Sequence, residues 1–212
     1  MTEHTIASAL VKAQKAHKRK AADWYPTPPD VTTALMNFLQ LDRDTVVWEP
    51  AAGDGSMSRV IEHYCEEVFS SDLRDEASIY GETRRDFLND NPPYGFHPDW
   101  IITNPPFNLA EAFIRKSLSI TPNVAMLLSN QYWHAATRKR LFDDHPPAWV
   151  LPLLWRPAFL EKERGKSPMM NVFWVVWQEG QHDARFRLLP RPEKLPDYST
   201  KSTLDPDLED LL

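Results

Sequence analysis

Apolar residues come along this chain in two rhythms. Short unbroken runs stand at Val46-Val47-Trp48, Val68-Phe69, Trp100-Ile101-Ile102-Thr103, Val124 to Leu128 and Val172 to Trp177. They are rich in β-branched and aromatic residues, and they predict strands over 44–49, 68–73, 100–103, 124–129 and 172–177. Between them, apolar residues recur at helical spacing. Val31, Leu35, Phe38 and Leu39 predict a helix over 30–40, Met57, Val60, Ile61 and Tyr64 a second, and Leu109, Ala112, Phe113 and Leu118 a third. Trp149 to Trp155 reads as another strand, broken by Pro152, a weak third-strand candidate precedes Arg85, and Tyr132 to Arg140 reads as an aromatic, basic helix. Strands alternating with helices predict an α/β fold with a parallel core.

Proline and glycine mark where the chemistry lies. Asn104-Pro105-Pro106-Phe107 follows directly on the Trp100–Thr103 run. Two prolines stop the strand there, leaving a carboxamide and backbone carbonyls beside an aromatic ring, which suits an amino group on a planar ring. Glu49-Pro50-Ala51-Ala52-Gly53-Asp54-Gly55 forms a small-residue turn between a strand and a helix. Its glycines allow a ligand close to the backbone, and its acids favour one carrying cationic groups and hydroxyls over a phosphate. Asp72 ends the next strand about twenty residues on, the spacing at which an acid meets ribose hydroxyls in dinucleotide-type folds. Asp86-Phe87 offers an acid and an aromatic ring for an adenine edge and face. A second run, Asn91-Pro92-Pro93-Tyr94, has no strand before it and is read as loop.

Composition sets the frame. A chain of 212 residues fits one domain, divided here into an arm over 1–22, a main domain over 23–180 and a Pro-rich, acidic, partly disordered tail over 181–212. The arm can form a polar helix or stay disordered. A single cysteine, Cys65, excludes an internal disulfide and a thiolate metal cluster. No run is long enough to span a bilayer and no secretory leader is seen, so the expectation is a cytoplasmic protein with neither membrane nor metal partner. The net charge of −6 argues against indiscriminate polyanion binding. Basic residues nevertheless cluster at Lys18 and Arg19, at Arg138, Lys139 and Arg140, and at Lys162, Arg164 and Lys166, three groups that could converge into a nucleic-acid track.

In order and spacing these features resemble the class I S-adenosylmethionine-dependent DNA methyltransferases that act on the exocyclic amine of adenine. The likeness covers residues 24–177. It rests on Tyr25-Pro26-Thr27-Pro28-Pro29 ahead of the glycine turn, Glu49 to Gly55, Asp72, and Asn104 to Phe107. It implies a Rossmann-like sheet, mostly parallel and twisted, of about seven strands with the last antiparallel, flanked by helices. It also implies S-adenosylmethionine as cofactor and double-stranded DNA with a flipped adenine as partner. Asn104, Pro105, Pro106 and Phe107 would be catalytic. Tyr25, Thr27, Glu49, Ala51, Gly53, Asp72, Asp86 and Phe87 would hold the cofactor. The chain is smaller than family members with a fixed target, with only 131–170 available for target recognition, which points to a small solitary type with short or relaxed specificity. An RNA base or a protein glutamine is the alternative acceptor, since the same tetrapeptide holds those amines too. A silent nucleic-acid-binding protein that keeps the fold is the reading outside enzymes.

Overall fold

The computed structural model describes residues 25–159, 171–181 and 183–196. Its strands are β1 (Val46–Glu49), β2 (Glu67–Ser70), β3 (Trp100–Thr103), β4 (Val124–Ser129), β5 (Trp149–Pro152), β6 (Val172–Trp177) and β7 (Arg185–Phe186). Its helices are α1 (Pro29–Leu39), α2 (Ser58–Tyr64), α3 (Ala110–Leu118) and α4 (Lys139–Asp144). All seven strands join one sheet in the order β2-β1-β3-β4-β6-β5-β7. β1 pairs parallel with β2 and β3, and β3 with β4, while β6 runs antiparallel to both β4 and β5.

The apolar runs are continuous because both faces of the sheet are covered. Successive residues point to opposite sides, so Val47, Ile102, Ala125, Leu127, Trp174 and Val176 pack under α1 and α2. Their neighbours Trp48, Ile101, Val124, Met126, Phe173 and Val175 pack against α3. α1 begins with Pro29 in its first turn, where a missing N–H costs nothing, and ends at Gln40 in the left-handed region (φ 49°). The buried indole of Trp174 on β6 donates to the Val31 carbonyl at 3.1 Å, fastening the start of α1 to the sheet. Arg191 adds an ion pair to Asp30 at 2.9 Å.

Three local readings are corrected. The weak third strand is only an isolated bridge, Ser71 to Glu82, held where Gly81 lies tight against the Ser70 backbone. The helix expected over 132–140 is two 3-10 turns, Asn130–Trp133 and Ala136–Arg138, before α4 begins. Trp133 stacks on Phe173 and packs on Phe142, and meeting both rings is incompatible with one straight helix. Finally, the stretch read as an acidic tail supplies β7 and the buried Leu189, with Arg185 lying over Trp149 and Arg187 over Phe38. Among the described residues no helix is long and apolar enough to cross a membrane.

Candidate active site

From β1 the chain crosses one way to β2 and from β3 the other way to β4, so the connections leaving the carboxyl ends of these two neighbouring strands part and leave a crevice, the usual ligand position in such sheets. A cleft opens there. It is walled by the lead segment Tyr25–Thr27, the turn after β1, the stretch after β2, residues 85–88 and the turn after β3.

The turn after β1 needs its glycines. Gly53 and Gly55 have φ of 57° and 79°, and a Cβ on Gly55 would lie 2.4 Å from the Tyr80 ring. The Gly53 carbonyl accepts the Tyr80 N–H at 2.8 Å, and the Gly53 N–H donates to Asp72 Oδ2 at 3.0 Å. Asp54 is turned to its own loop, accepting from the Ser56 N–H and hydroxyl.

Glu49, at the end of β1, is 2 % exposed. The Ser58 hydroxyl donates to it and in turn accepts from Ser70 at 2.8 Å. Burial pushes its carboxyl up to about 8; nearby Asp72 and Asp54 add to the rise, and the Ser58 bond opposes it. Asp72 goes the other way. Burial raises it, but Arg74, through side chain and backbone, and the Gly53 N–H outweigh burial and hold it below its ordinary value. The cleft thus pushes Glu49 toward its neutral form and Asp72 toward its charged one.

Asp86 and Phe87 reach the cleft wall, with other obligations. Asp86 accepts from the Leu88 N–H and the Asn89 amide, and Phe87 is a core ring edge-on to Trp48 and packed on Phe113. Ala51 lines the cleft as well.

Asn104 sits at the end of β3. Its Nδ2 donates to Thr27 Oγ1 at 3.1 Å and to the Tyr25 carbonyl at 3.4 Å. A carbonyl oxygen can only accept, so the NH2 edge of the amide must face the lead segment. Neither Oδ1 of Asn104 nor the carbonyl of the buried Pro105 takes a hydrogen bond among the described residues. Phe107 begins a 3-10 turn leading into α3, half-buried, with Tyr25 stacked at 6.1 Å and 29°. Phe159 meets Tyr25 edge-on at 6.3 Å. The second tetrapeptide lies outside this cleft, with Tyr94 fully exposed.

Of the three basic clusters, only the one at Arg138 to Arg140 lies within the described residues. Lys18, Arg19, Lys162, Arg164 and Lys166 lie outside the described residues. Arg138 lies 3.9 Å over the Tyr132 ring and donates to its carbonyl, while Lys139 and Arg140 pair with Asp143 and Asp144 one turn on. Exposed pairs of this kind leave little net charge on α4. Sequence reasoning missed Arg74, whose only mark in the sequence is its place two residues after Asp72. Among the described residues no group of three or more His, Cys, Asp or Glu side chains could hold a metal ion.

No family model and no curated protein matches this sequence. Solved structures do. A type I restriction-modification methyltransferase subunit from Streptococcus thermophilus superposes with a TM-score of 0.57 at 14 % identity, covering 77 % of this chain and 47 % of that one. A modification subunit of a putative type I restriction enzyme from Vibrio vulnificus YJ016 gives 0.58 at 14 %, covering 90 % and 52 %. A putative RNA methyltransferase from Pyrococcus horikoshii gives 0.52 at 16 %, covering 73 % and 85 %. The chain therefore spans about half the length of the type I subunits. Its seven-stranded sheet flanked by helices has the Rossmann-like fold of these methyltransferase structures.

Proposed function

We propose that the protein transfers a methyl group from S-adenosylmethionine to the exocyclic N6 amine of adenine in DNA. The observation that carries this reading is the Asn104 carboxamide. Its two donor hydrogens are tied to Thr27 and Tyr25, and its acceptor edge stands with the Pro105 carbonyl and the Phe107 ring in one cleft with the glycine turn and Asp72.

The chain's own residues suit each part of such a reaction. An aromatic amine is a poor nucleophile because its lone pair is delocalised into the ring. Asn104 Oδ1 and the Pro105 carbonyl would accept bonds from its two hydrogens, drawing them out of the ring plane, localising the lone pair on nitrogen and aiming it along the line of displacement. Catalysis is then positioning and electrostatics, with no covalent enzyme intermediate. Phe107 would stack on the base, which typically contributes about 1–3 kcal/mol. A paired adenine cannot reach the cleft, so it must leave the duplex at a cost of roughly a few kcal/mol.

The donor set of the cleft fits the cofactor's polar groups. The backbone at Ala51 and Gly53 would take the methionyl portion, Tyr25 and Thr27 its carboxylate, Asp72 the ribose, Asp86 and Phe87 the adenine, and Glu49 would face the cationic part. When bound, S-adenosylmethionine supplies the activated methyl group.

A second reading has its own support. The RNA methyltransferase likeness covers 85 % of that protein, against about half of the type I subunits, so an RNA amine is the alternative acceptor. Incubation with methyl-labelled S-adenosylmethionine and separate DNA, RNA and protein acceptors tests both. Label recovered from DNA as N6-methyladenine supports the first reading. Label confined to RNA replaces it with the second, and label in no acceptor sinks both.

A further inference from the structure

We propose that Thr27 is a positioning residue for transfer: its hydroxyl, together with the Tyr25 carbonyl, holds the Asn104 carboxamide with its oxygen toward the cleft, and so makes that amide an acceptor for the substrate amine. The inference rests on the amino-methyl transfer proposed above and assigns Thr27 a task beyond holding the cofactor.

An asparagine amide can present either edge to a cleft. With NH2 turned inward, donor would meet donor and an incoming amine would be repelled. With oxygen inward, the amine is bound and activated. Thr27 alone would not decide between them, because a hydroxyl can accept or donate. The Tyr25 carbonyl, 3.4 Å from Nδ2, can only accept, so the Thr27 contact at 3.1 Å must be Nδ2 donating to Oγ1. Both amide hydrogens are then occupied, and turning the amide over would set its oxygen against the Tyr25 carbonyl, acceptor against acceptor, with only a reversed bond from Thr27 left to hold it.

Thr27 is built to hold its place. It is 5 % exposed and flanked by Pro26 and Pro28, so its backbone is restricted from both sides. The helix that follows is anchored close by, at Val31 by Trp174 and at Asp30 by Arg191. Oγ1 keeps its own hydrogen after accepting from Asn104. One hydroxyl can therefore serve Asn104 as acceptor and a ligand carboxylate as donor.

The test compares the wild-type chain with Thr27→Val, Thr27→Ser and Thr27→Ala in methyl transfer to DNA and RNA at saturating S-adenosylmethionine, with cofactor Kd measured by calorimetry. Thr27→Val keeps the shape and loses the acceptor, and kcat should fall roughly 10- to 100-fold. Thr27→Ser, which keeps the acceptor, should return to within about threefold of wild type. If Thr27→Val does not fold, Thr27→Ala carries the same loss of the acceptor without added bulk. Wild-type kcat in Thr27→Val, or a raised cofactor Kd with full kcat at saturation, overturns the inference and leaves the proposed function standing. A wild-type protein that labels no acceptor removes both, so the two failures are told apart by the control.

Discussion

Arg74 closes over Asp72. Its Nε and backbone N–H donate to Oδ1, and its Nη2 to Oδ2, each at 2.9 Å, while the Gly53 N–H reaches Oδ2 at 3.0 Å. A carboxylate has about four acceptor positions, and here all are taken. A ribose hydroxyl can reach Asp72 only by exchanging with one of these donors. The two backbone donors are fixed in the fold, whereas the guanidinium ends a flexible stem that is 30 % exposed.

Arg74 is therefore the donor that should yield. Arg74→Ala should bind S-adenosylmethionine as tightly as wild type or more tightly. Asp72→Ala, which removes a charged acceptor and the tether of the glycine turn, should weaken binding by about 10- to 100-fold. Isothermal calorimetry on both variants checks this. An unchanged dissociation constant in Asp72→Ala would remove that residue from the ribose site.

Glu49 gives the folded protein a pH signature without any ligand. Its carboxyl is raised by burial from 4.5 to about 8, so between those values the folded chain holds a proton that the unfolded chain has released. Stability from this group is full below 4.5 and is lost as pH rises to about 8, by roughly a few kcal/mol in all. Glu49→Gln keeps a neutral group in place and should flatten that decline. Urea midpoints for wild type and variant at acidic, neutral and alkaline pH measure it. Parallel pH curves for the two proteins would mean that Glu49 is ionised in the fold.

What the sequence disclosed depended on how local the cause was. β3, β4 and β6 were legible to the residue because each is buried on both faces and therefore written as an unbroken apolar run. The glycine turn and the strand end at Asn104 were legible because glycine and proline act on their own backbone. β7 was hidden, since its arginines cover aromatic rings of other elements and the stretch reads as polar. The basic run at Arg138 was legible as charge, but its neutralisation by Asp143 and Asp144 needed the helix that aligns them. The bond from Asn104 to Thr27 joins residues 77 apart, and nothing in either local sequence announces it.

Gly81 should be hard to replace. Its φ is +83°, and a Cβ there would lie 2.1 Å from the Ser70 carbonyl oxygen, a backbone atom held by β2. The Glu82 N–H donates to that same carbonyl at 2.9 Å, so relief of the clash would also open the bridge beside Asp72. Gly81→Ala should cost upwards of roughly 2 kcal/mol in denaturant unfolding. Gly95, with φ +77° but open space around it, is the control: Gly95→Ala carries the backbone strain without the clash and should cost less.

Asn104→Asp separates the amide's two edges. The aspartate keeps an acceptor toward the substrate and is nearly the same shape, yet it has no hydrogens for Thr27 or Tyr25. Its second oxygen would face the Tyr25 carbonyl, acceptor against acceptor, where Nδ2 now donates at 3.4 Å. The Thr27 hydroxyl can turn and donate instead, so one of the two contacts is recoverable and the other becomes repulsive. The carboxylate should swing away from the lead segment, with a loss of about 1–3 kcal/mol in stability and about 100-fold in kcat. Cofactor affinity should change little in Asn104→Asp and in Asn104→Ala, and Asn104→Ala should abolish transfer. Denaturant unfolding, calorimetry and single-turnover transfer read the three quantities separately. Full activity in Asn104→Asp would show that the acceptor edge is held by something other than the lead segment.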